Sequence, residues 1–279
     1  MSDAQPRFVP AAPLVAQVLE SAVLAPNDGA GEVCALEIGW QDGDLQWRPG
    51  QSVGVLPPGL NARGRPNVAR LYSLANACRA GERRLTLLVR RSVHRDRATG
   101  EPGSGLCSSY LCDARPGDVL RLTGPVGHIL DLPESPRTPW ILLATGTGIA
   151  PFRGFLQHWQ GLAASDRPPV WLIHGARSQA ELAWHSEFAA QAAADPKWTY
   201  QAVRSREGTT SDGERPHVDH VLGQQLDKLT DWLDHGAVLY CCGVRGMVPG
   251  VEAALARATG LADAGAQLER DLRLRVEVY

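Results

Sequence analysis

The stretch Trp140-Ile-Leu-Leu-Ala-Thr-Gly-Thr-Gly-Ile-Ala-Pro-Phe-Arg153 decides the fold. Its first five residues are apolar without alternation, which is the pattern of a strand buried on both faces of a parallel sheet. The run ends in Gly146-Thr147-Gly148, and Pro151 stands where a helix would begin. Proline's missing N–H costs nothing in the first helical turn. Gly146 and Gly148 let the backbone approach a pyrophosphate, and the free N–H groups of the next helix attract its negative charge. The spacing is not G-x-G-x-x-G, however, and a plain tight loop has the same need for glycine.

Downstream, strands and helices alternate. Strands are expected at 140–144, 170–174, 198–203, 237–241 and 273–278. Helices are expected around 152–159 and at 181–193, 218–229 and 248–258. This order implies a Rossmann-like, doubly wound parallel sheet covered on both faces. Upstream the character changes. Gly and Pro punctuate short apolar runs at 33–38, 52–56, 85–89 and 119–122, with one short helix near 108–111. Such runs predict an antiparallel β-barrel or sandwich. The Pro-rich segment 133–139 separates the two patterns and gives domains 1–135 and 136–279.

Composition narrows the function classes. Hydrophobic residues are 44% of 279, enough for full cores. A net charge of −2 argues against a general nucleic-acid binder. No apolar run nears the ~20 residues of a membrane span. The N-terminus lacks the basic start and apolar stretch of a secretory signal, so a soluble cytoplasmic protein is expected, a trimmed plastid form remaining open. Lys197 and Lys228 are the only lysines. Cys107 and Cys112 have the C-x4-C spacing of a plant-type iron–sulfur run, but position 115 is Arg and C-x-x-C is absent, so no metal site is expected.

Three further segments carry candidate chemistry. In Val203-Arg-Ser-Arg-Glu-Gly, and later Arg215, hydroxyl and guanidinium donors suit an adenosine 2′-phosphate; a solvated loop would look the same. In Ala69-Arg-Leu-Tyr-Ser-Leu, Arg70 and Tyr72 share one strand face. A Tyr can stack on a flat ring and an Arg can hold a phosphate, although an ordinary exposed strand face remains open. Residues 61–100 carry ten arginines against Glu82 and Asp96. That excess points to an acidic partner or a phosphate-rich ligand, unless it is simply a solvated face.

Taken together and in order, these motifs resemble plant-type ferredoxin–NADP+ reductase, over Val15 to Tyr279. The residues that carry the likeness are Gly50-Gln-Ser-Val-Gly-Val, Arg70-Leu-Tyr-Ser, Gly105-Leu-Cys-Ser, Leu122-Thr-Gly-Pro-Val-Gly, Gly146-Thr-Gly-Ile-Ala-Pro-Phe-Arg, Ser205-Arg-Glu, Cys242-Gly-Val-Arg-Gly-Met and terminal Val276-Glu-Val-Tyr.

The resemblance implies an FAD-binding antiparallel barrel followed by an NADP(H)-binding α/β domain. It also implies hydride transfer between nicotinamide C4 and flavin N5, then one-electron exchange with ferredoxin or flavodoxin. Arg70, the Gly105–Ser108 turn and Ser108 itself would hold the FAD pyrophosphate. Tyr72 would stack on one flavin face and Tyr279 would cover the other, yielding to nicotinamide. Leu71, Leu88, Val89, Arg90, His94, Leu106, Cys107 and Thr147 would complete the FAD site. Ser73 would reach flavin N5 with Glu277 linked to it, and Cys242 would stand beside nicotinamide C4. Ser73, Cys242, Glu277 and Tyr279 are thus the expected catalytic group. NADP would meet Arg90, Gly146, Thr147, Gly148, Ala176, Arg177, Ser205, Arg206, Arg215, His217, Gly243 and Val244. The chain departs from the family at four of these positions. His94 and His217 stand where tyrosines stack on adenine, and Arg90 and Arg215 replace lysines, which keeps charge but changes geometry. The reductase component of an oxygenase and a non-catalytic flavin-binding sensor are the competing readings.

Overall fold

The computed structural model describes residues 8–27, 29–95, 100–209, 213 and 215–279. Asp96, one of the two acids of the Arg-rich region, lies outside them. The chain forms two compact units. One ends at Asp131 and includes Arg153–Phe155; the other comprises Leu132–Phe152 and Leu156–Tyr279.

In the first unit β1 (Leu14–Ala25), β2 (Val33–Gly39), β3 (Ser52–Val55), β4 (Arg70–Ser73), β5 (Arg84–Arg90) and β8 (Val119–Val126) form one sheet, ordered β4-β3-β8-β1-β2-β5. Every pairing in it is antiparallel. Period-two burial shows why: Leu14, Ala16 and Val18 of β1 turn inward while Val15 and Gln17 face out. The two edge strands then meet. Leu74 bridges Leu87, and the Ala75 N–H donates to Thr86 O at 2.9 Å, so the sheet curls into a barrel-like form. Leu36, Ile38, Val53, Leu85, Leu87 and Leu120 fill its core. A hairpin of β6 (Val93–Arg95) and β7 (Pro102–Ser104) follows β5, and leads into α1 (Leu106–Cys112).

The second unit alternates β9 (Trp140–Thr145), α2 (Ala150–Gly161), β10 (Val170–Ala176), α3 (His185–Ala194), β11 (Trp198–Arg204), α4 (Val218–Gln224), α5 (Leu226–Asp234), β12 (Val238–Gly243), α6 (Val248–Thr259), α7 (Ala264–Arg270) and β13 (Leu274–Val278). Its sheet is parallel throughout, in the order β11-β10-β9-β12-β13. The central strands β9, β10 and β12 are buried along nearly their whole length, as their unbroken apolar runs require. Ile141, Leu143, Trp171, Ile173 and Leu239 pack with Leu222, Leu229, Val251 and Leu255 from α4, α5 and α6. Trp159 of α2 instead meets Trp198 of β11 edge to face, and Phe188 of α3 stacks on it.

Three local expectations are corrected. The 181–193 helix begins only at His185, because Gln179–Glu181 make a 3-10 turn and Trp184 sits at φ 55°. The 218–229 helix is two helices, broken where Gln225 turns to φ −118°, ψ 44°. The strand expected at 237–241 runs on to Gly243, beneath the site described next. The long strand β1, the hairpin β6–β7 and the helix α7 carry no sequence signal strong enough to have been anticipated.

Candidate functional site

In an open parallel sheet, ligands bind beyond the C-terminal strand ends, where the strand order reverses. Here the chain leaves β9 for β10 and β11 on one side and later returns to β12 and β13 on the other. The ends of β9 and β12 therefore form the switch point. Gly146-Thr147-Gly148 turns off β9 as a 3-10 turn, and α2 follows with Pro151 in its first turn.

The two turns lock together through atoms that leave no room for side chains. A Cβ on Gly148 would lie 2.1 Å from Cys242 O. One on Gly243, whose φ is 131°, would lie 2.1 Å from Thr145 Oγ1. Thr145 Oγ1 accepts the Val244 N–H at 2.7 Å, a latch that the sequence reading missed. Only its place just before the glycines hinted at it.

The last residue is tied to both turns. The Tyr279 N–H donates to Gly243 O at 3.0 Å, its carbonyl accepts from the Arg245 N–H at 3.4 Å, and its hydroxyl lies 2.6 Å from Thr147 Oγ1. The residue is 66% exposed. Cys242 of β12 is buried and paired in register with Glu277 of β13. Burial first, then the charge of Glu277, pushes the Cys242 thiol well above its ordinary range. A thiol held protonated is a poor nucleophile.

Farther along the same edge, the β11 loop folds onto the end of β10. The Ser205 N–H donates to Ala176 O at 2.9 Å and the Arg206 N–H to Arg177 O at 2.8 Å. The Ala176 and Arg177 carbonyls thus hold the loop, while the Arg177 guanidinium pairs with Glu181 at 2.5 Å. Arg206, Arg215 and His217 are exposed.

In the first unit, β4 pairs with β3 so that Tyr72 faces Val53 and Ser73 faces Ser52. Arg70 and Leu71 are exposed; Tyr72 and Ser73 are half-buried. Desolvation, then a hydrogen bond to Cys107, raises the Tyr72 phenol far above its usual range, so it stays neutral. Cys107, whose thiol reaches Val55 O at 3.7 Å, therefore steadies the Tyr72 ring.

Gly105 caps α1. The N–H groups of Leu106, Cys107 and Ser108 precede the first helical bond, which the Ser109 N–H makes to Gly105 O at 2.9 Å. Ser108 Oγ donates to Gly105 O at 3.1 Å and accepts the Ser92 N–H at 3.0 Å, so part of its capacity fastens the turn. Ser92 is the second residue the sequence reading missed. A Cβ on Gly105 would lie 2.7 Å from Ser108 Oγ. This cradle of bare N–H groups fits a pyrophosphate. Leu88 and Val89 are buried, which leaves only their backbone for a ligand, and Arg90 donates to Gly31 O at 3.1 Å. His94 lies over Gly103 in the hairpin, where a Cβ would be 2.8 Å from its Nε2.

A parallel sheet whose glycine turn sits at its switch point defines a dinucleotide-binding protein. Consistent with that class, residues 142–253 match the family described as oxidoreductase NAD-binding domain. The particular family follows from nearly the whole chain. It is 34% identical to ferredoxin–NADP reductase root isozyme 1, chloroplastic, of Arabidopsis thaliana, over 98% of this chain and 76% of that one. It is likewise 34% identical to ferredoxin–NADP reductase of Thermosynechococcus vestitus, over 98% and 74%. The chain belongs to the ferredoxin–NADP reductase family. Its fold is also that of ferredoxin-NADP+ reductase from Plasmodium falciparum, solved with 2′P-AMP, at TM-score 0.77 and 21% identity over 98% of this chain and 99% of that one.

Proposed function

We propose that this protein is an FAD-dependent oxidoreductase that exchanges electrons between NADP(H) and ferredoxin. The observation that carries the reading is the anchoring of terminal Tyr279 to Thr147 and Gly243 at the switch point. An exposed aromatic ring held there is placed to occupy the nicotinamide position and to give way to it.

FAD would be held by Arg70, Tyr72, Ser73, the Gly105–Ser108 turn and the backbone at Leu88–Arg90, with His94 toward its adenine. When bound it supplies the conversion between two-electron and one-electron chemistry. Tyr72 presents a neutral, fixed ring for stacking. Gly146, Thr147, Gly148, Gly243 and Val244 bring backbone close to the NADP pyrophosphate and nicotinamide. Cys242 limits nicotinamide to one depth, and holding reactants in alignment lowers the barrier without further chemistry. Ser73 and Glu277 are the polar groups assigned to the reacting atoms. Ser205, Arg206 and Arg215 would bind the 2′-phosphate that distinguishes NADP, and His217 would stack on its adenine.

The acidic carrier is proposed from the charge of residues 61–100. Arg63, Arg65, Arg79, Arg83 and Arg95 are all exposed there. Ferredoxin is the partner this surface best fits, and flavodoxin is the alternative acidic carrier. A cytoplasmic or plastid-stroma location belongs to the same proposal. All six cysteines are free thiols, as a reducing compartment keeps them. No helix of the described residues is long and apolar enough to cross a membrane.

The test is NADPH-driven cytochrome c reduction with and without added ferredoxin. The expected result is a large acceleration by ferredoxin that falls as salt screens the exposed arginines. Indifference to ferredoxin would remove the partner assignment while leaving the NADPH–flavin assignment in place.

A further inference from the structure

At the end of α1 away from Gly105, two thiols meet. Cys34, the second residue of β2, is 1% exposed and pairs in register with Val89 of β5. Cys112, the last residue of α1, is half-buried, and its thiol lies 3.9 Å from Val89 O. The two sulfurs are near neighbours. With a carboxylate oxygen of Glu32 they form a cluster whose atoms all lie within 4.8 Å of one another. Arg91 closes it, 2.7 Å from Glu32 Oε1 and 2.6 Å from Asp113 Oδ1. None of these side chains has a part in the nucleotide sites above.

We propose that Cys34 and Cys112 are a reversible dithiol–disulfide couple, oxidised by a peroxide, that fastens the C-terminal end of α1 to β2. Two thiols held side by side ease removal of the first proton, because the neighbouring S–H can turn toward the thiolate that remains. Arg91 offsets the negative charge of Glu32 and Asp113 beside the resulting thiolate. A metal ion on the same three ligands would first have to displace Arg91 from Glu32, so the disulfide is the chemistry this cluster favours.

The step balances. A peroxide reaches Cys112, the more exposed sulfur, when the shared proton resides on Cys34. The thiolate attacks one peroxide oxygen: an S–O bond forms, the O–O bond breaks, and the departing oxygen takes up a proton to leave as water or an alcohol. Cys34, losing its proton, then attacks the Cys112 sulfur. The S–S bond forms, the S–O bond breaks, and hydroxide leaves as water with that proton. Two electrons have passed from sulfur to the peroxide. Exchange with an external dithiol reverses the change. The other end of α1 is the turn assigned to the FAD pyrophosphate, so the disulfide slows flavin loss. That consequence alone rests on the proposed FAD site.

The experiment treats reduced holoprotein with hydrogen peroxide, blocks remaining thiols by alkylation and maps the peptides by mass. The expected result is the joint loss of two of the six thiols. A peptide joining Cys34 to Cys112 should appear and should vanish with dithiothreitol. Cys34→Ser should leave Cys112 as a sulfenic acid trapped by dimedone, and Cys112→Ser should yield no linked peptide even if the first variant folds poorly. A link through any other cysteine, no thiol loss under peroxide, or Cys112 carried to sulfinic acid with Cys34 still alkylatable would each overturn the couple. So would zinc retained through dialysis that protects both thiols. A disulfide that forms without slowing flavin release on dilution would overturn the clamp and leave the couple standing.

Discussion

Replacing Gly148 by Ala tests whether the glycine turn of β9 holds the dinucleotide. The added methyl would lie 2.1 Å from Cys242 O, 2.4 Å from its carbonyl carbon and 2.7 Å from Gly243 N. All three are backbone atoms of a strand paired on both sides, so no side chain can rotate away. Ordinary contact begins at 3.4 Å, so the two turns must part by about 1.3 Å. Overpacking of this kind costs ~1–3 kcal/mol, and the absence of any yielding side chain puts this site at the upper end. A displacement of ~1 Å at a reacting centre can also cost on the order of 100-fold in rate. The expected outcome is weaker NADPH binding and slower flavin reduction, together with a lower unfolding midpoint. Flavin content should be unchanged, because the turn assigned to its pyrophosphate, Gly105–Ser108, belongs to the first unit. Anaerobic stopped-flow reduction by NADPH reads the first effect and urea unfolding the second. Unchanged reduction with unchanged or improved stability would refute the reasoning, since Ala is otherwise the better helix former by ~1 kcal/mol.

Three further outcomes are expected. Arg206→Ala removes a cation assigned to the 2′-phosphate, and a charge-assisted hydrogen bond is worth ~1.5–3 kcal/mol. NADPH should therefore weaken by roughly 10- to 150-fold while NADH barely changes; equal losses would place the 2′-phosphate elsewhere. Tyr279→Ser frees the nicotinamide position and should raise affinity for NADP+ while narrowing the gap between NADPH and NADH. An unchanged ratio of kcat/KM for the two would argue against a gate. His174 is fully buried, and desolvation with nearby His185 lowers its pKa from 6.5 to about 3. Its folded pKa is depressed, so the unfolded chain binds the extra proton; stability is full above about 6.5 and declines as pH falls toward 3. His174→Phe should flatten that decline in urea unfolding followed across the interval. Equal slopes for the two proteins would mean that His174 takes up its proton in the folded state.

Much of the fold was legible because the rules involved are local. Unbroken apolar runs at β9, β10 and β12 marked strands buried on both faces, and Gly and Pro punctuation marked the smaller strands of the first unit. What escaped was set by context. The break at Gln225 and the late start of α3 depend on single backbone angles that no periodicity announces. Thr145 and Ser92 went unnoticed because each acts by catching a backbone N–H from another element. Cys107 was assigned to FAD, yet its thiol also holds Tyr72 and reaches Val55 O.

The sequence by itself determined which residues could do chemistry: glycines to admit phosphate, arginines to bind it, and an aromatic residue at the terminus. The tertiary structure decided which of them meet. Thr147 and Tyr279 stand 132 positions apart and touch only because the sheet reverses its order between β9 and β12. Cys242 and Glu277 are neighbours only through the register of β12 on β13. Cys34 and Cys112 meet because α1 packs on β2 and β5. Strand order and register arise from burying whole faces at once, and no local pattern specifies that outcome.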